Sequence, residues 1–110
     1  MTVAVVAGNP KPGSRTLQAA TMVARALTDR EPDPVIDVVE LGPSLLGWGD
    51  DAVKAAVEAV AAADVAVFAS PTYKASFTGV LKCFLDQYGA GGLAGVVAVP
   101  LMLGAGPAHA

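Results

Sequence analysis

The chain contains one cysteine, Cys83, and one histidine, His109. A lone thiol excludes an internal disulfide, and no Cys/His cluster has the spacing of a zinc site. Any redox chemistry must therefore come from a cofactor. Charge is also sparse: 15% of the 110 residues are Asp, Glu, Lys or Arg, the formal net charge is −3, and the seven cations stand singly without an aromatic-basic patch. This argues against nucleic acid as a partner and for a small ligand. Long hydrophobic runs are missing too. Apolar residues make up 54%, too many for a disordered chain. Yet a charge interrupts every run before the roughly 18 residues a membrane span needs. No basic segment leads into an apolar signal core, so a soluble cytoplasmic protein without membrane attachment is expected.

What is present is a regular alternation of patterns, expected to form a single domain over residues 1–110. Apolar runs predict strands at Val3 to Ala7, Val35 to Leu41, Val65 to Ser70 and Val96 to Leu103. The first and third lack polar alternation, as parallel strands covered on both faces do, whereas Asp37 and Glu40 give the second the charges of an edge. Helical spacing of Leu17, Ala20, Val23, Ala24 and Leu27 predicts a helix from Ser14 to Leu27, about 21 Å long and enough to cover a strand. A second helix starts at Asp50 or Asp51 and buries Val53, Val57 and Val60, while Asp51, Lys54 and Glu58 face water. A third runs from Phe77 to Tyr88 and stops at Gly89. Right-handed crossovers turn this βαβαβαβ order into an open parallel α/β sheet with helices on both faces.

Ligands of such sheets bind beyond the carboxyl ends of the strands. Three loops arrive there: Gly8 to Thr16, Ser70 to Ser76, and Gly104 to His109. The first has the parts of an anion site, with Gly13 for a close turn, the hydroxyls of Ser14 and Thr16, the cation of Arg15, and free N–H groups at a helix start. The match to a nucleoside-triphosphate loop is incomplete, because the Lys and hydroxyl of G-x-x-x-x-G-K-[ST] fall on Ser14 and Arg15. The dinucleotide fingerprint G-x-G-x-x-G is absent as well. A monophosphate fits, and the plainer alternative is a turn with Ser14 as helix cap. In the second loop, Tyr73 and Lys74 offer a wall for a flat heteroaromatic ligand, unless Tyr73 is an interior plug. In the third, Gly104, Ala105 and Gly106 allow close backbone approach.

The segments Gly8-Asn9-Pro10-Lys11-Pro12-Gly13-Ser14-Arg15-Thr16, Ser70-Pro71-Thr72-Tyr73-Lys74-Ala75-Ser76-Phe77-Thr78-Gly79-Val80-Leu81-Lys82 and Leu103-Gly104-Ala105-Gly106-Pro107-Ala108-His109-Ala110 resemble the flavin loops of the NADPH-dependent FMN reductase family. The resemblance runs over essentially the whole chain. It implies a flavodoxin-like, three-layer fold with strand order 2-1-3-4, and FMN and NADPH or NADH as cofactors. Carried over residue by residue, it puts the FMN phosphate at Ser14, Arg15 and Thr16, with Asn9 and Leu17 near it. Pro71, Thr72, Tyr73 and Lys74 then flank the isoalloxazine, and Gly104, Ala105 and Gly106 line its far edge. The implied activity is hydride transfer from NAD(P)H to flavin, with reduced flavin passing to a monooxygenase or another acceptor. No side chain is nominated as catalytic acid, base or nucleophile, because the flavin carries the reaction. Quinone or azo reduction, and a non-catalytic electron-transfer module, are the alternatives. A third is a chain that binds nothing and persists only by association.

The resemblance also implies a further helix and a fifth strand beyond these 110 residues. Without them the fourth strand is an apolar edge with only Pro100 to discourage pairing, which makes a homo-oligomer the expected state. Elsewhere plain roles are expected. Cys83 is a structural thiol in an apolar helix, Trp48 packs over the sheet or a contact surface unless it lies near a neighbouring subunit's flavin, and Lys82 pairs with Asp86 on the helix surface. His109 is either near the flavin or a residue of a frayed end.

Overall fold

A computed structural model describes residues 1–106. The final positions, including His109 and the end of the third loop, lie outside the described residues. The element order is β1 (Val3–Ala7), α1 (Arg15–Thr28), β2 (Val35–Asp37), a 3-10 segment (Val38–Leu46), α2 (Asp51–Ala61), β3 (Val65–Pro71), α3 (Gly79–Leu85) and β4 (Val97–Leu103). All pairings are parallel, in the order β2-β1-β3-β4. This is the flavodoxin-like arrangement, whose switch point lies between β1 and β3.

β1 is buried along its whole length, as its unbroken apolar sequence requires. On one face of the sheet Val3, Val5, Val67 and Ala69 pack against Ala20 and Ala24 of α1. On the other, Ala4, Val6, Ala66 and Phe68 meet Val53, Ala56 and Val60 of α2, Leu81 and Phe84 of α3, and Val38 and Leu45 of the 3-10 segment. Each helix begins on a side-chain cap. Ser14 Oγ accepts from Leu17 N at 3.2 Å, Asp50 Oδ1 from Val53 N at 2.9 Å, and Thr78 Oγ1 from Leu81 N at 3.1 Å. Each cap satisfies one donor that the first turn leaves free.

β2 ends at Asp37 rather than Leu41, because β1 stops at Ala7 directly opposite Asp37 and leaves Val38 onward nothing to pair with. The chain folds instead into a 3-10 segment broken at Gly42, whose φ of 66° favours glycine. Asp37 is not a solvated edge charge: it is only 8% exposed and turns inward. α3 is shorter than Phe77 to Tyr88, because Thr78 caps it and leaves Phe77 outside. At its far end, i→i−3 bonds from Gln87 and Tyr88 tighten the last turn. Of the second helix's expected stripe, Val53 and Val60 are buried and Val57 only partly so, with Ala56 buried beside them.

Trp48 does not pack over the sheet, being 81% exposed. Cys83 is half-buried against the α2–α3 core, and Lys82 and Asp86 form the expected ion pair. Beyond β4 no strand pairs among the described residues. Beside it, Phe77, Leu85, Leu93, Pro100 and Met102 line an apolar cavity of about 360 Å³. Among the described residues no helix is long and apolar enough to cross a membrane.

Candidate functional site

Because β1, β3 and β4 are adjacent and parallel, the loops that follow them leave the same rim of the sheet. Specific polar ties hold them there. Gly8, the first residue after β1, donates its N–H to Ala69 O of β3 at 2.8 Å and accepts from Thr78 Oγ1 at 2.5 Å. Ser70, fully buried, accepts from Thr78 N at 3.0 Å and donates to Pro71 O at 2.8 Å. Thr72 N donates to Leu103 O at 2.8 Å, joining the second loop to the last residue of β4, from which the third loop leaves. A Cβ on Gly8 would stand 2.4 Å from Leu81 Cβ, so α3 can approach the end of β1 only because residue 8 is glycine.

The first loop is internally ordered. Asn9 Nδ2 donates to Thr16 Oγ1 at 3.1 Å, and Asn9 Oδ1 accepts from Lys11 N at 2.9 Å. Ser14 and Thr16 are buried, and each hydroxyl that accepts one of these bonds retains a proton to donate. In the first turn of α1, Leu17 N is taken by Ser14 Oγ and Gln18 N by Ser14 O. That leaves the N–H groups of Arg15 and Thr16 for an outside acceptor, at the end of the helix where an anion is favoured. The Arg15 side chain is exposed, and Leu17 packs partly into the core beneath.

The second loop is a tight turn in which Tyr73 and Ser76 exchange backbone bonds of 2.9 and 3.0 Å. Its two central residues, Lys74 at φ 50° and Ala75 at φ 62°, both adopt the left-handed conformation without being glycine. Such a pair is costly and persists only where the surroundings impose it. Tyr73 is 48% exposed and so is no interior plug. Beside it, Thr72 Oγ1 is buried without a hydrogen-bond partner. Pro71 is half-buried and Lys74 exposed, while Gly104 and Ala105 are exposed and Gly106 half-buried on the same rim.

These residues fit a flavin mononucleotide: hydroxyl and N–H donors suit a phosphate, and the orphaned Thr72 hydroxyl lies in the loop expected beside the ring. Among the described residues no group of three or more His, Cys, Asp or Glu gathers to hold a metal ion. Four residues that the sequence pattern did not nominate for the site shape it, namely Gly8, Asp37, Ser70 and Thr78. For Thr78 a signal existed, a Thr three residues ahead of Leu81 at a helix start.

The family described as NADPH-dependent FMN reductase matches residues 1–110. The chain belongs to that family. Among solved structures, it is 37% identical to an NADH:FMN oxidoreductase in its apo form, with a TM-score of 0.87 over 98% of this chain and 60% of the other. An oxidoreductase from Corynebacterium diphtheriae is 26% identical, with a TM-score of 0.82 over 92% of this chain and 62% of that one. An NAD(P)H:quinone oxidoreductase from Methanothermobacter marburgensis, 18% identical, shares the fold with a TM-score of 0.66 over 94% of this chain and 64% of its own. The chain thus spans 60 to 64% of the length of these structures. No curated protein matches it.

Proposed function

We propose that this member of the FMN reductase family is a single flavin-binding domain that reduces FMN with NADPH or NADH. The observation that carries the reading is the set of ties through Gly8, Thr78, Ser70 and Thr72, which commits three loops to one rim at the sheet's switch point. Ser14, Arg15 and Thr16 bind the phosphate, with Asn9 fixing Thr16 and Leu17 anchoring the helix below. Pro71, Thr72, Tyr73 and Lys74 flank the isoalloxazine, and Gly104, Ala105 and Gly106 lie along its far edge.

Bound FMN supplies the hydride acceptor, so the chain need contribute no acid or base. The chain's own work is to orient and shield. The hydroxyls and amides of the first loop fix one end of the ligand. The imposed turn at Lys74 and Ala75 holds Tyr73 beside the ring, and the Thr72 hydroxyl gains the partner it lacks. Water is kept from the ring by the apolar parts of the second and third loops.

The reduced flavin passes to a monooxygenase or another acceptor, in the cytoplasm, from a homo-oligomer. The apolar flank of β4, where Phe77 and Met102 are exposed among the described residues, supports association with a second copy. The test is NADPH consumption by the purified chain with and without added FMN. Consumption that requires FMN and saturates with it supports the reading. Saturable FMN binding without consumption replaces it with the electron-transfer module. Sedimentation of the same sample over a range of concentrations reads the oligomer.

A further inference from the structure

A buried carboxylate stands against the first loop, and flavin reduction as described above makes no use of it. Asp37, the last residue of β2, is 8% exposed. Its Oδ2 accepts from Gly13 N at 2.9 Å, while its Oδ1 is buried with no hydrogen-bond partner. Gly13 adopts φ 60° and immediately precedes Ser14, the cap of α1. The Asp37 bond therefore pins the residue whose left-handed turn delivers the chain into the helix.

A neutral amide would accept from Gly13 N equally well. What the carboxylate adds is a formal negative charge with one oxygen unpaired, beside a helix N-terminus that favours anions. The loop's own cations, Lys11 and Arg15, have exposed side chains and are screened by solvent, whereas the Asp37 charge is shielded from water and acts with less screening. A phosphate monoester entering the loop meets an orienting hydrogen bond and an opposing charge from the same side chain.

We propose that Asp37 is a positioning residue that also limits affinity for the phosphate monoester. Its bond to Gly13 shapes the loop, and its charge keeps FMN exchangeable, a substrate that enters and leaves rather than a fixed prosthetic group. This deepens the proposed function and rests on its reading of the first loop as the phosphate site.

The test is an equilibrium titration with FMN and with riboflavin, which has no phosphate, on the full chain and on Asp37→Asn, Asp37→Ser and Asp37→Ala, with thermal unfolding of each. Asp37→Asn keeps an acceptor for Gly13 N and removes the charge, so FMN should bind about tenfold more tightly while riboflavin binding stays unchanged. Asp37→Ser, a smaller neutral acceptor, should shift in the same direction, and Asp37→Ala, with no acceptor, should bind FMN more weakly than Asp37→Asn. A merely structural role cannot raise FMN affinity in a variant whose thermal stability is equal or lower. FMN affinity that is unchanged or weaker in both neutral-acceptor variants overturns the proposal, as does equal tightening for FMN and riboflavin. If the unaltered chain binds riboflavin and FMN equally, the reading of the first loop as a phosphate site fails, and the proposal fails with it.

Discussion

The Thr78 hydroxyl donates to the Gly8 carbonyl at 2.5 Å across a separation of 70 residues, and the same oxygen caps α3 by accepting from Leu81 N at 3.1 Å. One buried side chain thereby sets where α3 begins and where the first loop leaves β1. A single atom thus ties the start of the first loop to the helix that follows the second, the two loops expected to hold opposite ends of the ligand.

Removing that atom should harm stability and binding together. Thr78→Val keeps the shape but loses the cap and strands the Gly8 carbonyl, for an expected cost of about 2 to 3 kcal/mol in chemical denaturation. Thr78→Ser should recover most of the loss. FMN affinity should follow the same order, with serine above valine.

Gly8→Ala should be more damaging than its size implies. The added Cβ meets Leu81 Cβ at 2.4 Å, between two backbones tied together through Thr78. Relief requires moving α3 from the sheet, at an expected cost of about 3 kcal/mol. A denaturation midpoint near that of the unaltered chain would contradict the close approach.

Ala75→Gly should have the opposite effect on stability. A left-handed conformation costs an L-residue about 1 to 2 kcal/mol, and glycine gives back about 0.5 to 1 in backbone entropy, so a net gain of about 0.5 to 1 kcal/mol is expected. The same change should loosen the turn that holds Tyr73 and weaken FMN binding. A variant that is more stable but binds less tightly is the outcome that links the strain to function.

Stability should fall at both ends of the pH scale. The Val53 N–H lowers the carboxyl of Asp50, and the Thr2 N–H that of Asp64, below the ordinary 3.8. A lowered folded value means that the stabilisation is complete above 3.8 and is lost as pH falls through the folded values. At the other end, burial raises the Tyr88 phenol from 10.0 to about 12. Its hydroxyl donates to Val57 O at 2.8 Å, a bond the phenolate cannot make. That contribution is complete below pH 10 and is lost as pH rises toward 12. Thermal unfolding from pH 3 to 11 should show a broad plateau with losses at both ends, and Tyr88→Phe should flatten the alkaline arm.

The patterns most legible in the sequence were those fixed by neighbouring residues. Val3 to Ala7 and Val65 to Ser70 are unbroken apolar runs and form buried central strands, and Ser14 and Asp50 announce helix starts through their own side chains. What could not be read depends on partners distant in sequence. The end of β2 is set by the end of β1, Asp37 is drawn inward by Gly13, 24 residues earlier, and Gly8 must be glycine because of Leu81. The three loops were recognisable as segments, but the atoms that bind them to one rim were not.

The most direct test of the central claim is to follow flavin fluorescence as FMN is added to the purified 110-residue chain, and then flavin absorbance as NADPH is added without air. Saturable quenching at one FMN per chain is expected, followed by bleaching of the flavin band. FMN fluorescence unaffected by the folded chain would contradict it.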